Sequence, residues 1–98
     1  MHARVTHLQM EPASIDGVVS NLEESDMPRF KELDGFKGMT ILADRETGKT
    51  IAVTFWESEG ALRASEDAVK DARRRAAETG GAPEPQVERY EVVLDTMA

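Results

Sequence analysis

The apolar positions of this chain switch period several times, and each switch marks a predicted element. "ARVTHLQM", from Ala3 to Met10, mixes β-branched and polar residues without helical spacing, and the proline of "EPAS" ends it, which predicts a first strand. Beyond it, Ile15, Val18, Val19 and Leu22 fall at i, i+3, i+4 and i+7, the stripe of an amphipathic helix. Ser14 is its predicted cap, and Asp16 sits favourably in its first turn. Pro28 predicts a stop or a kink, leaving Phe30 and Leu33 in a short final turn before "DGF".

Two β-rich runs follow, "FKGMTILA" from Phe36 to Ala43 and "KTIAVTFWE" from Lys49 to Glu57. The polar "DRETG" between them predicts a hairpin whose closing bulge takes its positive φ from Gly48. Ser58 then caps a long second helix with one face marked by Leu62, Ser65, Val69, Ala72 and Ala76. On its other side Glu59 with Arg63, Glu66 with Lys70 and Asp71 with Arg75 are spaced as i,i+4 pairs. The helix ends at Gly80, the linker "GGAPEP" cannot continue it, and "QVERYEVVLD" from Gln86 to Asp95 is a fourth strand.

The order β-α-β-β-α-β is a split βαβ arrangement, so the expected fold is α+β and ferredoxin-like. Residues 1–98 would form one domain with a four-stranded antiparallel sheet and two helices on one face. In strand 3, Ile51, Val53 and Phe55 point one way and Ala52, Thr54 and Trp56 the other. In strand 2, Phe36, Thr40 and Leu42 are likewise divided from Met39, Ile41 and Ala43. Neither sheet face is charged, and two helices cover only one. A second copy is the simplest cover for the other, which predicts a homodimer.

Composition narrows the function. With 40% hydrophobic and 32% charged residues the chain is an ordinary folded one, and at 98 residues it buries about 60 to 65% of its unfolded surface, so association would help it. A net charge of −7 repels phosphate backbones and anionic lipid alike, and the basic run Arg73 to Arg75 is flanked by Asp71 and Glu78. Neither nucleic acid nor membrane is an expected partner. The chain has no cysteine, which removes disulfides, thiolate metal sites and a cysteine nucleophile. No stretch approaches the ~18 apolar residues of a membrane span, and a cytoplasmic location is expected.

"ADRETGKT", from Ala43 to Thr50, fits a relaxed phosphate-loop pattern with alanine for the first glycine. Such a loop must feed a helix N-terminus, whereas Lys49 and Thr50 lead into a strand and Asp44 and Glu46 repel phosphate. The match is read as accidental. Glu23, Glu24 and Asp26 are read as a solvated face of the first helix.

The stretch "GFKGMTILADRETGKTIAVTFWESEGALRAS", from Gly35 to Ser65, is a hairpin with a tryptophan ending its second strand, an acidic residue after it and a helix opening at once. It resembles the antibiotic biosynthesis monooxygenase domain family, and the likeness extends over most of the chain. The resemblance implies a dimeric α/β barrel. It implies an activity drawn from a varied set, since some members oxidise polyketide quinol precursors with O₂ without metal or flavin, some cleave haem, and many have no assigned reaction. It also implies a pocket between sheet and helices to which Trp56 contributes; the plainer reading of Trp56 is an indole that fixes helix 2 against the sheet.

Haem-cleaving members place a histidine on helix 2 as iron ligand, and this helix 2 has none. Cofactor-free members often carry an asparagine on the strand of the tryptophan, and strand 3 has neither Asn nor Gln. The candidate catalytic residues are therefore His7, Trp56 and Tyr90, with Asn21 and Trp56 as ligand-binding candidates, no metal and no cofactor. His7 would take a phenolic proton to raise electron density for O₂. His2 lies five residues along the strand from His7, on the opposite face, so the two make no metal pair. Two functions follow: a cofactor-independent oxygenase acting on a small aromatic or polyketide-type molecule, or a non-catalytic dimeric barrel that binds a small apolar ligand or serves a role in stress or metabolism.

Overall fold

A computed structural model describes residues 1–80 and 85–97 of the chain; most of the expected linker, 81–84, lies outside them. The strands β1 (His2–Gln9), β2 (Phe36–Ala43), β3 (Lys49–Trp56) and β4 (Gln86–Glu91) form one sheet in the order β2-β3-β1-β4, with every neighbouring pair antiparallel. The helices α1 (Ile15–Asn21), α2 (Met27–Lys31), α3 (Glu59–Ala64) and α4 (Glu66–Gly80) pack on one side of it. This is the expected ferredoxin-like α+β architecture.

The hairpin forms as predicted. Gly48 has φ of +81° and donates its N–H to the Asp44 carbonyl at 2.8 Å, while its own carbonyl accepts from Met10 at 3.1 Å. A Cβ there would stand 1.8 Å from the Met10 carbonyl oxygen, so both conformation and space require glycine. The phosphate-loop look-alike is thus a turn feeding β3, with no helix N-terminus to hold an anion.

Several local expectations need correction. Ser14 does not cap α1: Pro12 opens a 3-10 turn over Pro12–Ser14, so Ser14 already has helical backbone and its side chain makes no capping bond. Pro28 does not stop the helix. A π turn over Leu22–Asp26, with Met27 N–H reaching the Leu22 carbonyl, widens the backbone just before the proline, and α2 continues beyond it to bury Phe30. Asp26 is not solvated but buried, where Arg75 pairs with it. That takes Arg75 from Asp71, which meets Arg74 at 3.6 Å instead.

The second helix is broken at Ser65. Its N-terminal cap forms as predicted, with Ser58 Oγ accepting from Ala61 N–H at 3.1 Å, and Arg63 meets Glu59 at 2.6 Å. The Leu62 carbonyl, however, accepts from the Ser65 hydroxyl at 2.6 Å and from Arg4 at 2.8 Å, two donors outside the helical ladder, and α4 starts afresh at Glu66. β4 ends at Glu91 rather than Asp95. Val92 N–H still donates to the Met1 carbonyl at 2.8 Å, just beyond the strand's end.

Two clusters make the core beneath the helices. Leu8, Met10, Ile15, Val18, Leu22, Ala76 and Ala77 fill one end, and Phe30, Trp56, Leu62, Val69 and Ala72 the other. Strict alternation would place Phe36 with Thr40 and Leu42 on the helix-free face. A register shift between Phe36 and Gly38 turns it to the helix side, where it meets Trp56. The helix-free face carries Val5, Ile51, Val53 and Phe55, each half-buried, with Leu42 55% exposed.

Candidate functional site

Alternation along β1 sends Arg4, Thr6 and Leu8 toward the helices, and Arg4 occupies what would otherwise be a core position. Its side chain is 0% exposed. Nη2 donates to the Leu62 carbonyl at 2.8 Å, to Ser65 Oγ at 3.2 Å and to Glu66 Oε2 at 2.8 Å, tying the α3–α4 break to the sheet. The guanidinium carbon lies 5.7 Å from the centroid of the Trp56 ring, a cation–π arrangement. Trp56 is itself 0% exposed, donates Nε1–H to Thr54 Oγ1 at 3.0 Å, and takes Phe36 edge-on at a centroid distance of 5.3 Å.

Glu66 is the shared counter-ion. Besides Arg4 it meets Arg89 of β4 at 3.0 Å and Arg73 of α4 at 3.3 Å. Burial raises its pKa, but hydrogen bonds from Arg89 and Arg73 and the charges of Arg4 and Arg89 outweigh burial, so the carboxyl titrates below its ordinary value. Burial also lowers the Arg4 pKa, an effect that Glu66 opposes.

A cleft of about 660 Å³ opens beside this cluster, between α3–α4 and the β1–β4 edge of the sheet. Leu62, Arg63 and Glu66 border it from the helices, and His2, Arg89 and Tyr90 from the strands. The imidazole Nδ1 of His2 is buried without a hydrogen-bond partner. The volume falls within the ~300–1,000 Å³ of small-molecule sites, and the walls mix an apolar side chain with converging donors.

The four residues singled out by sequence do not meet at one place. His7 is on the helix-free face, its Nε2 2.6 Å from Glu88 Oε1, and Tyr90 donates its hydroxyl to Glu88 Oε2 at 2.8 Å. That bond holds the Tyr90 phenol above its ordinary pKa and, with His7, holds Glu88 below its own. His7 and Tyr90 are thus joined through Glu88, with Tyr90 also bordering the cleft. Trp56 is sealed in the core across the sheet from His7. Asn21 borders a separate hollow of about 260 Å³ between α1 and α4. Among the described residues no group of three His, Asp or Glu side chains could hold a metal ion. No helix among them is long and apolar enough to cross a membrane.

Arg4, Glu66 and Arg89 were missed by the sequence reading. An arginine within a strand gives no local sign that it faces inward. The available clue was its spacing, two residues from Thr6 and four from Leu8 on the side that the helices cover.

The fold is that of the antibiotic biosynthesis monooxygenases. The chain superposes on the monooxygenase from the ActVA-Orf6 gene of Streptomyces coelicolor, solved in complex with nanaomycin D, with a TM-score of 0.80 over 99% of this chain and 91% of that one, at 18% identity. It also matches the heme-degrader MhuD of Mycobacterium tuberculosis, which holds two hemes in its active site, with a TM-score of 0.71 over 99% and 100% of the two chains and 18% identity. In sequence it is 35% identical over 94 residues to the uncharacterized protein Rv2558 of Mycobacterium tuberculosis, a match covering 96% of this chain and 39% of that protein. The chain therefore spans about two fifths of the length of the curated relatives it matches. No protein-family model matches it.

Proposed function

We propose that this chain is a single antibiotic biosynthesis monooxygenase domain that binds a small aromatic or polyketide-type molecule in the cleft and oxidises it with O₂, without metal or flavin. The observation that supports this reading is the 660 Å³ cleft between sheet and helices, on a fold whose ActVA-Orf6 example binds nanaomycin D. The reaction in view converts an activated ring CH₂ to C=O, with one atom of O₂ entering the product and the other leaving as water. It begins by removing a proton to leave an electron-rich phenolate or enolate. His7 is across the sheet from the cleft, so the proton acceptor is assigned to His2, the histidine that borders the cleft.

Oxygen-electrode assays with anthrone and substituted hydroquinones test the reading. Uptake above the spontaneous rate is expected, together with a fall of at least about tenfold in His2→Ala while binding measured by calorimetry is kept, the scale of general-base loss. No uptake across the panel would remove the oxygenase. The second reading, a binding domain without turnover, is favoured by one observation: Trp56, with its N–H committed to Thr54, is fully enclosed. Calorimetric binding with no O₂ consumption would establish it.

The domain is further proposed to work as a homodimer closed over the helix-free face, where Val5, Ile51, Val53, Phe55 and Leu42 form an uncovered apolar surface. Light scattering at micromolar concentration is expected to give about twice the chain mass. A stable monomer at that concentration would exclude the barrel.

A further inference from the structure

The cleft and the ion pairs packed against it together hold more positive charge than negative. Among the described residues, Arg4, Arg73 and Arg89 all find their carboxylate partner in the single Glu66. Arg63 is matched by Glu59. Arg63 and Arg89 border the cleft with Glu59, Glu66 and Glu91, and the enclosed Arg4 and Arg73, both paired with Glu66, bring the local balance to four guanidinium groups against three carboxylates on a chain whose overall charge is −7. Donors are also in surplus: Arg4 Nε, Arg4 Nη1 and Arg73 Nη1 are buried with no hydrogen-bond partner. These nitrogens keep their charge without a second carboxylate, so the potential beside Glu66 stays positive.

We infer that the cleft selects ligands that carry a carboxylate, received by Arg89. This rests on the cleft being the ligand site proposed above, and it names the chemistry of that ligand. Arg89 is the member of the cluster placed to meet a ligand, because it borders the cleft and its side chain is 49% exposed, whereas Arg4 is enclosed. A guanidinium presents two parallel N–H donors in the fork that a carboxylate accepts, and Arg89 spends one nitrogen on Glu66. Arg4 and Arg73 do not border the cleft, but both pair with Glu66 and add their charge to the potential the ligand meets.

The test uses 3-hydroxy-2-naphthoate and its methyl ester, two ligands of nearly equal shape that differ by one charge. Titration calorimetry of the whole chain should show the acid binding at least about tenfold tighter than the ester, with added salt weakening the acid alone. Arg89→Gln, on a half-exposed edge-strand position, should bring the acid to the level of the ester and leave the ester unmoved, with an unchanged far-UV circular dichroism spectrum showing that the fold is intact. Equal binding of acid and ester, or an acid affinity indifferent to Arg89→Gln, would overturn the carboxylate assignment and leave the cleft as a ligand site. Binding of neither probe would overturn the cleft itself, and this assignment with it.

Discussion

Trp56→Ala is expected to lower stability by about 3–5 kcal/mol, the range for removing a large buried aromatic. The indole is fully enclosed, with Phe36 against its edge, Arg4 over its ring and Thr54 bonded to its nitrogen, so truncation leaves a cavity and releases three neighbours at once. In a domain of this length each kcal/mol moves the midpoint by roughly 4–8 °C, so a fall of more than about 12 °C should appear in thermal denaturation. Trp56→Phe keeps most of the apolar area but loses the bond to Thr54 and the stronger cation–π face, and should cost about 1–2 kcal/mol. A loss under about 1 kcal/mol for Trp56→Ala would mean that the indole is not a packing centre. Because Trp56 does not border the cleft, Trp56→Phe should leave ligand affinity within about twofold once the protein is folded.

The topology was legible in the sequence because period alone separates its elements. "KTIAVTFW" alternates, Leu62 to Ala76 repeats at helical spacing, and Gly48 punctuates the hairpin. What failed were places where a side chain competes with the backbone or the register slips. Ser65 looked like one more member of a helical face, and nothing local shows that its hydroxyl and Arg4 would claim the Leu62 carbonyl and split the helix. The shift between Phe36 and Gly38 likewise reverses one aromatic that strict alternation misplaces.

The site was far less legible, because it depends on which strand neighbours which and in what register. Choosing His7, Tyr90, Trp56 and Asn21 by chemical type gathered residues from three regions of the fold. Glu88 links His7 and Tyr90 only because Val5 pairs with Glu88 and Ala3 with Tyr90 across β1 and β4. Arg4 meets Glu66 across 62 residues of chain. An arginine at an alternating inward position should itself be read as a request for a distant carboxylate, since a charge cannot be buried there alone.

That dependence makes the Arg4–Glu66 pair the sharpest test of the architecture. Glu66→Gln leaves Arg4 enclosed without a carboxylate and deprives Arg73 and Arg89 of theirs, and is expected to cost about 2–4 kcal/mol, somewhat under the figure for a wholly buried pair because Glu66 is one third exposed. Arg4→Met should cost less, about 1 kcal/mol, since it removes the enclosed charge and two unpartnered nitrogens, keeps an aliphatic stem under Trp56, and leaves the Leu62 carbonyl still bonded to the Ser65 hydroxyl. The double variant should fall short of the sum of the two by at least about 1 kcal/mol, as expected for residues in direct contact. Acid unfolding adds an independent reading. The Glu66 carboxyl titrates lower in the folded chain than the 4.5 of a free glutamate, so its contribution is complete above that pH and is lost as the pH falls through the folded value. Asp16 and Glu88 are shifted the same way, but they are common to both proteins, so the difference between wild type and Glu66→Gln isolates Glu66. Urea denaturation should show that difference constant from pH 7 to about pH 5 and shrinking below about 4.5; a difference that held steady into strong acid, or additive single variants, would show that Arg4 is not held by the Glu66 charge.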